Sequence, residues 1–298
     1  MALIPHRVRV FFGNRIGDLF CFFGFRRKIV EQNLARCFPQ FAESDRRDLL
    51  RRFYRHFGNL LVELTTLLGG LRRFSKRVGR LHGLDRWKAA QSRGRGVLLV
   101  SSHLGNWEVM AATGAQLGID ILLVTKQLKP LWLHRRVESV RRTARVLGTY
   151  EPATLKEVLK HLKRGGTVGW VLDQYAGPPV GVRVPFFGTW VGTQSALALL
   201  AKRTGSPVLS VCNWRNPDGT FEVEIGEEIP WIAHADPQFE IGRNTAGYVQ
   251  VLEEAIRRHP EQWLWTHRRF KGDLSLGTEG EWEQGRPRTQ LDSSSEIS

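Results

Sequence analysis

The chain has only three cysteines in 298 residues, Cys21, Cys37 and Cys212, none in a CxxC pair or a His-Cys cluster. That argues against a disulfide framework and a thiolate-built zinc site, and it suits a reducing compartment. No window holds the roughly 18 to 20 consecutive apolar residues that a spanning helix needs. The N-terminus lacks a long apolar run followed by a small-residue cleavage site, so a secretory signal peptide is not expected. GxGxxG and GxxxxGK[ST] are both missing, which removes the usual nucleotide readings. Ser101 and Ser102 lie outside any GxSxG elbow, leaving a serine hydrolase little support. HExxH is also missing, and His134, His161 and His267 are too differently placed to complete a metal site. Acidic residues are scarce, 29 against 44 Lys and Arg, for a formal charge of +15. Such an excess attracts anions, whether nucleic acid, anionic lipid, phosphorylated substrate or acidic protein, without choosing among them.

Apolar residues make up 42% of the chain and charged residues 24%, enough for one large domain or two small ones around a real core. Phe11, Phe12, Leu19, Phe20, Phe22, Phe23 and Phe25 are interleaved with basic residues, seven Lys or Arg falling in the first 36 positions. An aromatic segment flanked by cations fits an anchor lying in a membrane interface. It also fits a core helix with its arginines in water. Residues 43–70 have helical periodicity, with Ser44 as a cap and Gly69-Gly70 as the stop. Strands are expected at 97–101, 119–125, 167–172 and 207–212, and helices at 106–117, 130–147, 154–164 and 192–204. A polar helix or loop is expected at 82–93, an antiparallel strand at 220–226 and a helix at 242–258. Strands spaced by helices give an α/β fold, a central largely parallel or mixed sheet flanked by helices, with an N-terminal amphipathic, aromatic, membrane-contacting helical segment. The expected divisions are a membrane-associating segment at 1–40, the α/β domain at 41–271, and a polar flexible tail at 272–298 too poor in apolar residues to repay ordering.

Residues 97–108, VLLVSSHLGNWE, place a histidine where a buried strand ends. In open α/β sheets ligands gather beyond the carboxyl ends of strands. A neutral imidazole there can take a proton from a hydroxyl, and a carboxylate on its other nitrogen favours the imidazolium that forms. Glu108 is the candidate partner of His103. Inside one regular helix a five-residue separation turns the two about 140° apart, so His103 must sit in the turn before the helix. The alternative is a strand-end histidine bonded to backbone, with Glu108 at a helix start.

SSHLGNWE resembles the HxxxxE/D signature of the glycerolipid acyltransferase superfamily. More closely, the chain resembles the bacterial late, Kdo-dependent lipid A biosynthesis acyltransferases and their relatives. RRKIVEQNLARCFPQF at 26–41, VLDQYAG at 171–177, VRVPFFGTWVGTQSALALLAKRTGSPVLSV at 182–211 and PEQWLWTHRRFK at 260–271 agree in the same order. The resemblance implies transfer of a fatty acyl group from acyl carrier protein, or less often CoA, to a hydroxyl of a membrane glycolipid. It makes His103 the general base with Glu108 its partner, and adds Asp173 and an arginine that gap-free counting places at Arg142, with Arg135, Arg136, Arg141 and Arg145 as nearby alternatives; Arg142 and Asp173 could form an ion pair. Substrate contacts are expected at Asn106, Trp107, Gln174, Arg268 and Arg269. Phe186 and Phe187 could line an acyl pocket or simply be core. Gly188 is expected to set a turn and Thr193 to cap the helix that follows. The tetrahedral oxyanion would meet backbone amides near Gly105 or an arginine. No metal or resident cofactor is expected, since the acyl thioester is a co-substrate. Expected partners are acyl carrier protein, an anionic membrane surface and a glycolipid acceptor, with no nucleic acid. The expected location is the bacterial inner membrane, peripheral or shallowly anchored, with the site on the cytoplasmic side. A thioesterase and a basic nucleic-acid-binding module are the alternatives. The run from Lys126 to Arg164, with eleven Lys or Arg against three Glu, could steer an acidic partner or be a solvated face.

Overall fold

The computed structural model describes residues 6–67, 78–272 and 274–275. Strand β2 (Val97–Ser101) is buried at every residue, as a strand covered on both faces must be. Its neighbours are β5 (Thr167–Val171) and β8 (Val208–Arg215), both parallel to it. With β1 (Val78–His82), β3 (Ile121–Val124), β4 (Val146–Thr149) and β9 (Phe221–Glu228), they form a seven-stranded sheet in the order β1-β9-β8-β2-β5-β3-β4. Every pair is parallel except β8–β9. The α/β architecture with a largely parallel sheet is the one its alternating pattern implies.

Three segments depart from expectation. β4 starts within the 130–147 segment expected to be a helix, which ends at Thr143. β1 begins just ahead of the 82–93 segment, whose helix is Leu84–Gln91. The VPFFGTW stretch is a hairpin, β6 (Gly181–Phe186) and β7 (Thr189–Gln194), to which β10 (Leu274–Ser275) adds a third strand. Burial in β7 alternates residue by residue, so a period of two was present there. Thr193 therefore lies within a strand and caps nothing, and the helix Ala196–Thr204 starts after Ser195 without a side-chain cap. Gly188 does occupy the hairpin turn, at φ 71°.

Three helices open the chain: α1 (His6–Phe22), α2 (Arg27–Cys37) and α3 (Glu43–Leu67). Ser44 is inside the first turn of α3 rather than capping it, and Gly69-Gly70 lies outside the described residues. The same is true of the polar tail beyond Ser275. α2 belongs to the main core: Val30, Leu34, Cys37 and Phe38 join the strand residues, Phe186 and two fully buried tryptophans, Trp263 and Trp265. Asn33 ties α2 to that wall by donating to the carbonyls of Trp265 (2.8 Å) and His267 (2.9 Å).

α1 reverses the usual amphipathic order. Gly13 and Gly17 face α3, where a Cβ on Gly58 would lie 2.1 Å from the Gly13 carbonyl oxygen, so the two backbones touch. Phe20 packs edge-on to Phe57 of α3, but most of the aromatic residues point away: Phe22 is 81% exposed and Phe23 77%. Phe11, Phe12, Leu19 and Phe25 are exposed with them. Among the described residues no helix is long and apolar enough to cross a membrane.

Candidate active site

His103 leaves the carboxyl end of β2 and precedes the helix Trp107–Gln116, in the turn that a proton-accepting role requires. Its carboxylate partner is Asp173. The register pairs Ser101 with Val171, so residues 103 and 173 stand two positions beyond adjacent strand ends. His103 Nδ1 meets Asp173 Oδ1 at 2.8 Å, and the His103 backbone N–H donates to Oδ2 at 2.7 Å. Trp263 Nε1 donates to the same Oδ2 at 2.6 Å. Burial pushes the Asp173 carboxyl up, but the His103 imidazole, the two hydrogen bonds from His103 and the nearby His267 outweigh it and hold the group below the usual carboxylate range. An ionised carboxylate only accepts, so Nδ1 carries a proton and Nε2 is the nitrogen left for a substrate. The His103 side chain keeps 16% of its surface open while that of Asp173 keeps none.

The C-terminal motif closes this corner. Leu104 and Trp263 form an antiparallel bridge, with Leu264 N–H donating to the His103 carbonyl and Gly105 N–H to the Gln262 carbonyl. Gly105 has φ 64°, and a Cβ there would lie 2.2 Å from the Asn213 carbonyl oxygen. Its amide is already engaged, so it is not available to an oxyanion. His267 lies with its ring centroid 4.9 Å from that of His103. Burial, helped by the His103 imidazole, pushes its pKa down to about 4, so it stays neutral.

Glu108 does not reach His103 as expected. It sits in the first turn of its helix, and both its carboxylate oxygens accept from Arg141, Oε2 from Nε (3.0 Å) and Oε1 from Nη2 (2.5 Å). Arg141 Nη1 also donates to Glu138 at 3.2 Å. The pair is buried. Desolvation opposes the guanidinium charge, and Glu108 more than restores it. Arg142 is exposed and does not meet Asp173. One residue is about 100° of helix rotation, which turns Arg141 and Glu138 inward on one face and Arg142 to solvent.

The remaining expected contacts divide. The Trp107 ring is edge-on to His103 with centroids 4.8 Å apart, and Gln174 is half-buried beside Asp173 in sequence. Asn106 is fully buried, its Oδ1 accepting from Val109 N–H as the helix cap and its Nδ2 donating to Glu63 Oε2, so it has no free group for a substrate. Phe186 and Phe187 are buried in the aromatic core against Trp263 and Trp265. Arg268 is exposed. Arg269 is fully buried, donating to the carbonyls of Gln174 and Gly192 and to Thr193 Oγ1. Burial lowers its pKa to about 10, and it braces the DQY segment from behind. Glu63 and Arg215, which adjoin this turn, carry no motif in the sequence. Among the described residues no group of three His, Cys, Asp or Glu side chains could hold a metal.

The family model described as bacterial lipid A biosynthesis acyltransferase matches residues 1–272. The lipid A biosynthesis palmitoleoyltransferase of Escherichia coli K12 is 30% identical over 287 residues, covering 92% of this chain and 89% of its own. The lauroyltransferase of the same organism is 29% identical over 276 residues, covering 90% and 87%. A phosphatidylinositol mannoside acyltransferase of Mycobacterium tuberculosis is 26% identical over 220 residues, covering 68% and 64%. A match running through the N-terminal helices, both strand-end residues and the closing motif makes the chain an acyltransferase, a member of the bacterial lipid A biosynthesis acyltransferase family.

Proposed function

We propose that the chain transfers a fatty acyl group from an acyl carrier protein or CoA thioester to a hydroxyl of a glycolipid, with His103 as general base. The observation that carries this reading is the His103–Asp173 pair, which leaves Nε2 as a basic nitrogen beside an open surface. The acceptor hydroxyl attacks the thioester carbonyl while Nε2 takes its proton, and Asp173 stabilises the imidazolium. The tetrahedral intermediate then collapses, the C–S bond breaks, and the imidazolium returns its proton to the thiolate. Asp173 takes the orienting role first assigned to Glu108. Glu108 and Arg141 act together as a buried brace under the turn's helix. Trp107 and Gln174 remain the nearest substrate contacts, and Arg268 a surface cation for an acceptor phosphate.

The preferred acceptor is a lipid A precursor, in keeping with relatives named for lipid A biosynthesis. A phosphatidylinositol mannoside, lysophospholipid or other glycolipid is the second choice. The outward phenylalanines of α1, with Arg7, Arg15, Arg26 and Arg27 nearby, support seating on the cytoplasmic face of a bacterial inner membrane. In this reading residues 1–40 are the membrane-associating segment and 41–271 the catalytic domain. Lipid mass spectrometry of a host with and without the protein, and with His103→Ala, tests it. One glycolipid should lack an acyl group without the protein, and the variant should not restore it. Release of free fatty acid without any need for a hydroxyl acceptor would instead make the protein a thioesterase.

A further inference from the structure

The turn that holds His103 is fixed on one side by Asp173 of the neighbouring strand. On the other side it is fixed by a helix far away in sequence. Asn106, the last residue of the turn and the cap of the helix that begins at Trp107, donates from Nδ2 to Glu63 Oε2 on α3 at 3.0 Å. Glu63 is itself held in place by Arg215 at the end of β8, Nε to Oε1 and Nη2 to Oε2, both at 2.7 Å. The backbone of Arg215 exchanges two hydrogen bonds with the Gln262 side chain, and the Gln262 backbone carbonyl accepts from Gly105 N–H. Arg215 Nη1 also meets Nδ1 of His56, another α3 residue buried in the same corner. The Glu63 and Arg215 side chains keep only 13% and 10% of their surface.

We propose that Glu63 is a positioning residue: its carboxylate, oriented by Arg215, sets the Asn106 cap and so aims the turn that presents His103. The chain of contacts is short. Asn106 starts the helix, Trp107 is its first residue, and the Trp107 ring lies edge-on to the imidazole. A cap that loses its anchor lets both shift, and displacements of about 1 Å can cost on the order of 100-fold in rate. α3 is also the helix on which α1 packs through Gly13, Gly17 and Gly58. One helix thus contacts both the aromatic N-terminal helix and the His103 turn.

The inference rests on the acyl-transfer reading, and the test keeps the two apart. A buried ion pair can be replaced by neutral side chains of similar size without loss of fold, so two double variants are compared by steady-state kinetics of acyl transfer. E63Q/R215M keeps an amide oxygen to accept from Asn106, whereas E63L/R215M does not. With equal melting temperatures, E63Q/R215M should stay within about threefold of the wild-type kcat, and E63L/R215M should fall at least about tenfold with an unchanged donor KM. Should either double variant not fold, the exchange E63Q/N106D reverses the donor and acceptor while conserving charge. It should recover the kcat that N106D loses when two carboxylates face each other. Equal rates in the first two variants, a loss confined to KM, or an exchange no faster than N106D overturns the inference. A wild-type protein that transfers no acyl group overturns the functional reading instead, and this inference with it.

Discussion

Two carboxylates are buried near the carboxyl edge of the sheet, and each faces a nitrogen base, yet they cannot do the same chemistry. Asp173 holds one nitrogen of an imidazole whose other nitrogen is left for a substrate. Glu108 is held through both oxygens by Arg141, a guanidinium that keeps its proton, in a pair closed to solvent. The first pair can pass a proton because one of its members is an imidazole, which both takes up and releases one, and is partly open. The second can only hold a shape. Distance in the sequence is a poor guide to which is which, since Glu108 lies five residues from His103 and Asp173 lies seventy.

The largest test of that contrast removes the imidazole. His103→Ala should lower acyl transfer by about 100- to 10,000-fold, while Asp173 keeps its bonds from the residue 103 backbone and Trp263. Asp173→Asn should fall in the same range, because the amide no longer stabilises the imidazolium. A near-wild-type rate in either, measured at saturating donor, would show that the open pair is not the reactive one. Glu108→Gln should act on the fold instead. It leaves Arg141 buried with only Glu138 to offset its charge, at a cost of up to about 3–5 kcal/mol in unfolding free energy, read by urea denaturation. A stable Glu108→Gln protein with lost kcat would make the closed pair chemical after all.

A third test uses pH. His267 has a folded pKa of about 4 against 6.5 in the unfolded chain, so folding favours its neutral form. Its contribution is fully present above about pH 6.5 and disappears as the pH falls toward 4. The wild-type melting temperature should therefore drop across that window, and that of His267→Gln should drop less. His56 is depressed in the same direction and keeps part of the slope in both proteins. Equal slopes would mean that His267 is not held neutral by the fold. The smallest effect is expected at Arg142→Ala, within about 0.5 kcal/mol of wild type, while Arg141→Ala should destabilise as a broken buried pair does. Matching unfolding curves for the two would undo the assignment of the inward arginine.

Local pattern was a good guide wherever burial repeats along one element. The apolar run at 97–101 became β2, and the pattern at 154–164 a helix, because strand and helix periods are written in consecutive residues. β4 is hard to separate from the helix before it because Val146–Thr149 is a short strand that begins soon after Thr143, with no Gly or Pro between them. Arg141 was within reach, since Glu138 lies three residues before it and the two share a helix face. Counting from a family motif cannot see that face.

The sequence by itself determined the α/β order, the family, and a histidine in a turn at a strand's end, since each is carried by adjacent residues. Only the tertiary structure decided which carboxylate that histidine meets. Strand order and register are set by pairings between distant segments, and it is the placement of β5 beside β2, with Val171 opposite Ser101, that brings Asp173 to His103. For the same reason the link from Glu63 to Asn106 has no trace in the sequence. It exists because α3 packs against the turn, and packing joins residues that no spacing connects.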